Sequence, residues 1–411
     1  MQINWEKRFA DRASRINSSV IREILKHSSA PGVISFAGGL PSPDVFPVED
    51  FKRACDVVLT EAGPDALQYT PTEGFIPLRE VIADHSASYG IPTAIENIQL
   101  TSGSQQALDL LGMLFIDPGD YVVVENPTYL GALQAWNAYG AKYLTVPSDE
   151  DGMRTDLLEE QLKKGPRLIY VLPNFQNPSG VTLSLERRQE LVELADKYNV
   201  PIIEDDPYGK LRYFGEHIPP VIVLDKKLHN DMGDHYHGNV IYLSTFSKLL
   251  APGIRMAWVI ADMQVIQKLV FAKQGADLHS PTLNQMIAYE VGRDGFLDEY
   301  AKKIRAVYKE RLEVMLDAME EHFPDGVRWT EPEGGMFLWV TLPEGMDADE
   351  LLPKAVERKV AFVPGRPFHP DGSGKNTMRV NFSNASPEMI REGIARLGVL
   401  FREEMAALAV P

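Results

Sequence analysis

The chain has 411 residues, enough for two or three domains of ~150 residues, and its 58 acidic and 41 basic side chains give a net charge of −17. This charge disfavours nucleic acid and anionic membranes as partners. Because the chain has one cysteine, no apolar run near the ~18 to 20 residues of a membrane helix and no apolar signal-peptide core, we expect a cytoplasmic protein without membrane spans.

Short apolar segments alternate with helical patterns from residue 98 onward. Helices are predicted to begin at Ser104 and after Ser184, and strands are predicted at 98–101, 121–125, 167–172, 200–204, 240–244 and 256–260. Continuous apolar runs of this kind are typical of strands that helices cover on both faces. The pattern therefore predicts an α/β fold with a mainly parallel sheet.

The pattern changes near residue 282, where helical periodicity begins and continues to about residue 323. The segments that follow are hairpin-like strands at 327–330 and 336–342, a helix at 348–358, strands near 360–363 and 378–382, and a last helix from Pro387. We predict a large domain over 46–290 and a smaller α+β domain over 291–411. Residues 1–45 are predicted to pack with the smaller domain.

Four polar motifs directly follow predicted strands. The first, 101–106 (TSGSQQ), lies at a helix start, where free N–H groups and hydroxyls favour a phosphate, although an ordinary helix cap is the alternative. The second, 173–180 (PNFQNPSG), places Asn177 before a proline at the carboxyl end of a strand. A fixed amide in the ligand crevice of an open sheet is one interpretation, and a plain turn is the other.

The third motif, 202–208 (IIEDDPY), ends an apolar strand with three acidic residues. Because side chains alternate along a strand, Asp205 is expected to point opposite to Glu204 and Asp206. A buried carboxylate would need a cationic partner, since an unpaired charge is costly to bury. Three solvated loop residues are the alternative.

The fourth motif, 244–255 (STFSKLLAPGIR), combines two hydroxyl residues, a lysine and an arginine. A phosphate cofactor bound to a lysine requires a nucleophilic amine and hydrogen-bond donors beside the phosphate. The motif offers both, in Thr245, Ser247, Lys248 and Arg255. A solvated surface lysine is the alternative.

In this order, the four motifs resemble the fold-type I pyridoxal-phosphate aminotransferases of class I/II, and the resemblance covers essentially the whole chain. Further segments are similar to the branch that contains 2-aminoadipate (LysN-type) and kynurenine or aromatic aminotransferases: 35–41, 67–74, 273–279 and 332–337. The resemblance implies a large cofactor-binding domain with a mainly parallel seven-stranded sheet between helices, and a smaller α+β domain.

The resemblance also implies residue roles around pyridoxal 5′-phosphate. Lys248 would bind the cofactor covalently, Asp205 would pair with the pyridine nitrogen, and Tyr129 would stack on the ring. Asn177 and Tyr208 would hydrogen-bond the phenolic oxygen. The phosphate would be surrounded by Gly103, Ser104, Gln105, Thr245, Ser247 and Arg255.

Substrate and subunit contacts follow from the same resemblance. Arg379 would hold the substrate α-carboxylate, and Gly39 and Asn177 would lie beside the substrate. Tyr69 would reach the phosphate of a neighbouring subunit, which makes a homodimer the expected assembly. Arg22 matches an arginine that contacts acidic substrate side chains in the LysN-type relatives, with a solvated helix charge as an equal alternative.

The segment 226–238 (KKLHNDMGDHYHG) departs from the pattern of the relatives. Its histidines and aspartates could suggest a metal site. We favour a solvated loop, since polar loops gather such residues without metal-binding geometry, and we predict no metal.

The expected activity is transfer of an amino group from an L-amino acid to 2-oxoglutarate or another 2-oxo acid, with pyridoxamine 5′-phosphate as the half-reaction form. The expected donors are 2-aminoadipate, aromatic, kynurenine-like and branched-chain amino acids. A C–S β-lyase on the same fold is one alternative. A non-enzymatic effector domain of a transcription regulator is another, but it would require an N-terminal DNA-binding domain and a basic face.

Overall fold

The structure is a computed structural model of the chain, and it describes residues 2–16, 18, 32–91, 93–229, 233 and 235–408. Within these residues it contains fourteen β-strands in three sheets and twelve α-helices. No helix in this part of the chain is long and apolar enough to cross a membrane.

The largest sheet has eight strands. They are β2 (Ile98–Thr101), β3 (Tyr121–Asn126), β4 (Lys142–Asp149), β5 (Gly152–Met153), β6 (Leu168–Val171), β7 (Ile202–Asp205), β8 (Val240–Thr245) and β9 (Ala257–Ile260). Their order is β2-β9-β8-β7-β6-β3-β4-β5, and the pairs from β8 to β4 are parallel. β9 is antiparallel to both of its neighbours, and the two-residue β5 is antiparallel to β4.

Helices cover both faces of this sheet. They are α1 (Val48–Ala66), α2 (Ile76–Ser88), α3 (Ser104–Phe115), α4 (Leu130–Asn137), α5 (Leu158–Leu162), α6 (Leu185–Tyr198), α7 (Val221–Leu228), α8 (Met263–Ala276) and α9 (Thr282–Gly292). Successive strand residues enter opposite core layers. Ile202 belongs to the layer that includes residues of α1, α2, α6 and α9, whereas Ile203 belongs to the layer that includes residues of α3, α4 and α8. This alternation requires apolar residues at consecutive positions, as the sequence pattern indicated.

The C-terminal part of the chain forms a second core. It contains α10 (Phe296–His322), β10 (Arg328–Trp329), β11 (Phe337–Thr341), α11 (Ala348–Glu357), β12 (Val360–Ala361), β13 (Val363–Pro364), β14 (Thr377–Asn381) and α12 (Pro387–Leu408). Four of its strands form an antiparallel sheet in the order β10-β11-β14-β13. β1 (Ile34–Ser35) pairs with β12, and Phe36 is buried in the same core.

Short 3₁₀ helices complete the described chain. They span Trp5–Lys7, Asp11–Arg15, Pro43–Val45, Ile95–Asn97, Thr155–Leu157, Pro252–Ile254 and Arg366–Phe368.

The predicted α/β class and mainly parallel sheet are confirmed. Both ends of each of the six predicted strands lie within two residues of the ends of an observed strand. The large sheet has eight strands instead of the seven expected, because the short strand β5 is added at its edge. The sequence pattern missed β4, whose residues are mostly half-buried or exposed, so it lacks the continuous apolar run of its neighbours. The helical stretch from residue 282 is two helices, separated at 293–295.

The close approach of α10 and α12 generates a stability prediction. A Cβ at Gly398, within α12, would overlap the carbonyl oxygen of His322 at the end of α10. Gly398→Ala should therefore lower the free energy of unfolding by about 1–3 kcal/mol, because the helices must separate. Denaturant unfolding monitored by circular dichroism measures the change.

Gly275→Ala is the matched control, because this glycine also lies in a helix but its Cβ would meet nothing within 4 Å. We expect it to leave stability unchanged or to raise it by about 0.4–1 kcal/mol. Equal losses in the two variants would contradict the close contact.

Candidate active site

A cavity of about 260 Å³ lies where β6, β7 and β8 end, next to the second core. Its walls come from segments that are distant in the sequence. They include Gly39, Ser104, Gln105, Tyr129, Leu172, Asn177, Asp205, Pro207, Tyr208, Thr245, Ser247, Lys248, Pro252, Arg255, Phe337 and Arg379. The carboxyl ends of parallel strands are where open α/β sheets bind ligands.

A larger cavity of about 670 Å³ lies elsewhere, between 150–151, 180–184 and 328–333. Its walls contain no lysine and none of the carboxylates of motif 202–208. The smaller cavity therefore holds the chemically reactive groups.

The junction of β2 and α3 forms one wall of the site. Gly103 has φ of +88°, and a Cβ there would overlap the guanidinium of Arg255, so only glycine allows this approach. Ser104 begins α3, and its buried Oγ has no hydrogen-bond partner among the residues that the structure describes. The arginine and the free helix N-terminus provide positive charge beside these donors.

The end of β8 provides the hydroxyl groups of the same wall. Thr245 Oγ1 donates to the carbonyl oxygen of Met256 at 3.0 Å, lies 3.0 Å from Ser247 Oγ and accepts from the Ser247 N–H. These bonds shape the turn that leads from β8 to Lys248.

Lys248 faces the cavity and retains partial exposure to it. Its Nζ donates to the carbonyl oxygen of Gly39 at 3.0 Å. Enclosure by protein lowers the pKa of Lys248 to about 8, and the positive charges of Arg379 and Arg255 act in the same direction. At pH 7 about a tenth of this amine is therefore neutral and nucleophilic, far more than for an ordinary lysine.

The three acidic residues at the end of β7 have different surroundings, as the alternation predicts. Glu204 accepts hydrogen bonds from the N–H groups of Val221 and Ile222 at the start of α7. Asp206 accepts from Asn174 and Tyr242 on the same side of the sheet. Only Asp205 lines the cavity.

Asp205 is 2% exposed, and burial raises its pKa to about 7. Its Oδ2 accepts a hydrogen bond from the Tyr170 hydroxyl at 2.9 Å. Its Oδ1 is buried without a partner among the described residues. An unpaired carboxylate oxygen is costly to bury, so this atom suits a cationic or N–H-bearing ligand.

Arg379 reaches the cavity from β14 of the second core. Its Nη1 donates to Asn177 Oδ1 and its Nη2 to the carbonyl oxygen of Ala37, both at 2.8 Å. The guanidinium lies over the rings of Phe337 and Phe368, at 4.4 and 5.2 Å from their centroids. Burial lowers its pKa to about 10, and its Nε has no partner in the described part of the chain.

Two tyrosines also line the cavity. Tyr208 is 4% exposed, and Tyr129 is the residue that precedes α4. Burial raises the pKa of Tyr129 to about 12, so its hydroxyl stays protonated and its ring offers an apolar face.

Most of the predicted site residues therefore share one cavity, but three predictions need separate statements. Gly103 does not line the cavity and contacts it through Arg255. Tyr69 is outside the cavity, 76% exposed, with its ring edge-on to His279. Arg22 lies outside the described residues.

Loop 226–238 is described only in part, because 230–232 and 234 lie outside the described residues. His229 pairs with Asp196, and His237 pairs with Asp262. The described residues contain no group of three or more side chains suited to hold a metal ion.

The sequence motifs missed several residues of the site. Tyr170 lies within the apolar run of β6, and only its hydroxyl group distinguishes it from its neighbours. Phe337 lies in segment 332–337, which indicates the family branch but no role for this residue, and Leu172 and Pro252 carry no polar signal. An apolar residue at the end of a strand shows its function only when the cavity is known.

The cavity fits pyridoxal phosphate. Its lining contains one carboxylate, Asp205, whose Oδ1 is buried without a partner among the described residues, together with a lysine and two arginines. The unpartnered Oγ of Ser104 lies at a helix N-terminus beside Arg255, which suits a phosphate. A lysine nucleophile, an anion site and a carboxylate for a ring nitrogen are the groups that define a pyridoxal-phosphate enzyme.

Comparisons with known proteins agree with this class. The sequence model of the family described as aminotransferase class I and II matches residues 33–397. Aromatic-amino-acid aminotransferase 1 of Thermococcus litoralis is 48% identical over 98% of this chain and 96% of its own length.

Two solved structures are also similar. LysN, the α-aminoadipate aminotransferase of Thermus thermophilus complexed with N-(5′-phosphopyridoxyl)-L-leucine, has a TM-score of 0.91 and 42% identity over 98% of this chain and 100% of that one. The kynurenine aminotransferase of Pyrococcus horikoshii has a TM-score of 0.92 and 43% identity over 98% of both chains.

The chain belongs to the class I and II aminotransferase family. It is a pyridoxal-phosphate-dependent aminotransferase of fold type I, and the predicted family, fold class and cofactor are confirmed.

The surroundings of Lys248 predict its reactivity in the cofactor-free protein. Because its pKa is lowered to about 8, reductive methylation of Lys248 should be half-maximal near pH 8. Peptide mass spectrometry across a pH series measures the extent of modification, with Nα-acetyl-lysine as reference. The same pH dependence for Lys248 and the free amino acid would contradict the effect of burial and of the two arginines.

Proposed function

We propose that the protein transfers the amino group of 2-aminoadipate, aromatic, kynurenine-like or branched-chain L-amino acids to 2-oxoglutarate. The observation that carries the proposal is the placement of Lys248, Asp205 and Arg379 around one small cavity. The breadth of donors is supported by the aromatic and α-aminoadipate enzymes among the relatives and by the leucine adduct in the LysN structure.

When bound, pyridoxal phosphate supplies a carbonyl that exchanges an amino group and a ring that withdraws electrons from the substrate α-carbon. We assign its covalent attachment to Lys248, its ring contacts to Tyr129 and Asp205, and its phenolic-oxygen contacts to Asn177 and Tyr208. The phosphate is assigned to Gly103, Ser104, Gln105, Thr245, Ser247 and Arg255.

Lys248 is proposed to act as the general base. Because the amine has a lowered pKa, Nζ can take a proton from the substrate α-carbon and return it later in the cycle near neutral pH. Asp205 in its charged form stabilises a protonated ring nitrogen, which strengthens electron withdrawal. Tyr208 is buried beside them and excludes water.

Arg379 is proposed to bind the substrate α-carboxylate, with Gly39 and Asn177 beside it. A guanidinium presents a planar set of donors that matches a carboxylate, and Nε of Arg379 is free of partners in the described chain. The rings of Phe337 and Phe368 restrict its orientation. Arg22 remains a proposed contact for acidic substrate side chains.

We also propose that the enzyme is a homodimer. Leu67 and Tyr69 are 75% and 76% exposed, and Leu278, which precedes the His279 that contacts Tyr69, is 53% exposed. These exposed side chains suit an apolar contact with a second subunit. The proposed domains at 46–290 and 291–411 are supported by the two main cores. The proposed packing of residues 1–45 with the smaller domain is supported for β1 by its pairing with β12, whereas Arg15 donates to the carbonyl oxygen of Ala138 in the large domain. A cytoplasmic location is supported by the single cysteine.

A substrate panel tests the activity. With 2-oxoglutarate as acceptor, the protein should convert 2-aminoadipate, kynurenine, phenylalanine or leucine and form glutamate, and Lys248→Ala should abolish turnover because the general base is removed. Glutamate and 2-oxo acid products are quantified by chromatography. Pyruvate and ammonia released without an acceptor would favour a C–S β-lyase instead.

A subunit-mixing experiment tests the dimer and the role of Tyr69. Lys248→Ala and Tyr69→Ala proteins are inactive or weak alone, but after subunit exchange one site of each heterodimer combines an intact Lys248 with an intact Tyr69. Activity should partly return, up to about half of the wild-type value per heterodimer. Exchange without recovery, or a fully active monomer, would overturn the proposal.

A further inference from the structure

Among the described residues, the hydroxyl of Tyr170 is the one group that donates a hydrogen bond to the side-chain carboxylate of Asp205. Tyr170 lies on β6, next to β7, and its hydroxyl donates to Asp205 Oδ2 at 2.9 Å. Both side chains are buried, with exposures of 0% and 2%. The other carboxylate oxygen, Oδ1, has no partner among the described residues.

The ring of Tyr170 packs against Trp136, which restricts its orientation. Trp136 packs edge-on against it at a centroid distance of 5.2 Å, and the Trp136 indole is itself fixed by a hydrogen bond to the carbonyl oxygen of Leu108. Such an edge-to-face contact restricts the ring orientation. The tyrosine hydroxyl is therefore directed at one oxygen of Asp205.

We propose that Tyr170 is a positioning residue for the aminotransferase reaction, which holds Oδ2 of Asp205 so that charged Oδ1 is available to the ring nitrogen of the cofactor. This inference rests on the proposed role of Asp205. Tyr170 itself touches neither substrate nor cofactor in this assignment and acts only through the carboxylate.

The electrostatics of the pair support this role. Burial raises the pKa of Asp205, and the hydrogen bond from Tyr170 lowers it, since a donor stabilises the charged carboxylate. Burial and the negative charge of Asp205 raise the pKa of Tyr170 itself, so that its hydroxyl keeps the proton it donates.

Other charged and titratable groups lie near Asp205 and affect its charge in both wild type and variant. They are Asp206, the next residue along the chain, whose side chain points to the other face of the sheet, Tyr129, Tyr208, and the cavity residues Lys248, Arg255 and Arg379. The ratio of variant to wild-type cofactor affinity at one pH isolates the contribution of Tyr170.

Tyr170→Phe removes the donor and leaves the ring. The holoenzyme is dialysed to equilibrium against pyridoxal phosphate at pH 6.5 and pH 9, and bound cofactor is measured by absorbance. Without the donor, Asp205 binds a proton at higher pH, so Kd should rise about fivefold to tenfold at pH 6.5 and less than about twofold at pH 9. The acid limb of kcat/KM should move to higher pH in parallel.

Tyr242→Phe is the matched control. Tyr242 is a buried tyrosine of the neighbouring strand β8, and its hydroxyl donates to Asp206 Oδ2 at 3.0 Å, on the other face of the sheet. It should lose a similar hydrogen bond without the pH-dependent change in cofactor affinity. Melting temperatures of both variants report any structural loss.

Two results would overturn the inference. One is an unchanged Kd in Tyr170→Phe at both pH values, and the other is an equal loss at pH 6.5 and pH 9, which indicates a structural role. Asp205→Asn separates this failure from that of the proposed function: if it weakens cofactor binding while Tyr170→Phe does not, only the inference fails. If Asp205→Asn also binds normally, the proposed role of Asp205 fails.

Discussion

The pleat of one strand organises the site. Along β7, consecutive carboxylates point to opposite faces, so Glu204 and Asp206 enter the layer of α7 while Asp205 enters the cavity. Glu204 anchors the start of α7, and Asp206 binds Asn174 and the N–H of Gly209. A shift of one residue in strand register would exchange these positions, so the register of β7 with β6 and β8 determines which of the three acids lines the cavity.

The cavity concentrates charges that water would otherwise solvate. Burial lowers the pKa values of Lys248 and Arg379 and raises that of Asp205, so each group is moved toward its neutral form. An anionic ligand beside the cations compensates part of this cost, because opposite charges attract strongly where water is excluded. The same enclosure that destabilises the charges makes the lysine reactive near neutral pH.

A rigid frame supports the loop that carries Asn177. Arg188 on α6 is fully buried and donates to the carbonyl oxygens of Leu183, Pro173, Ile218 and Pro219 and to Asn174 Oδ1. Burial lowers its pKa, but these five acceptors satisfy its donors. This arrangement fixes motif 173–180 to the sheet, so that Asn177 meets an arginine that lies 202 positions later in the chain.

The sequence alone determined the parts of this protein that depend on local chemistry. Apolar runs predicted six strands of the large sheet, and polar motifs at their ends predicted that Lys248, Asp205 and Asn177 lie at one site. The three residues line one cavity, because parallel strands bring their carboxyl ends to one edge. The tertiary structure decided which distant groups meet: Tyr170 with Asp205, Arg379 with Asn177, and Phe337 with Arg379. These contacts depend on strand register and on the packing of two cores, which no short segment of sequence encodes.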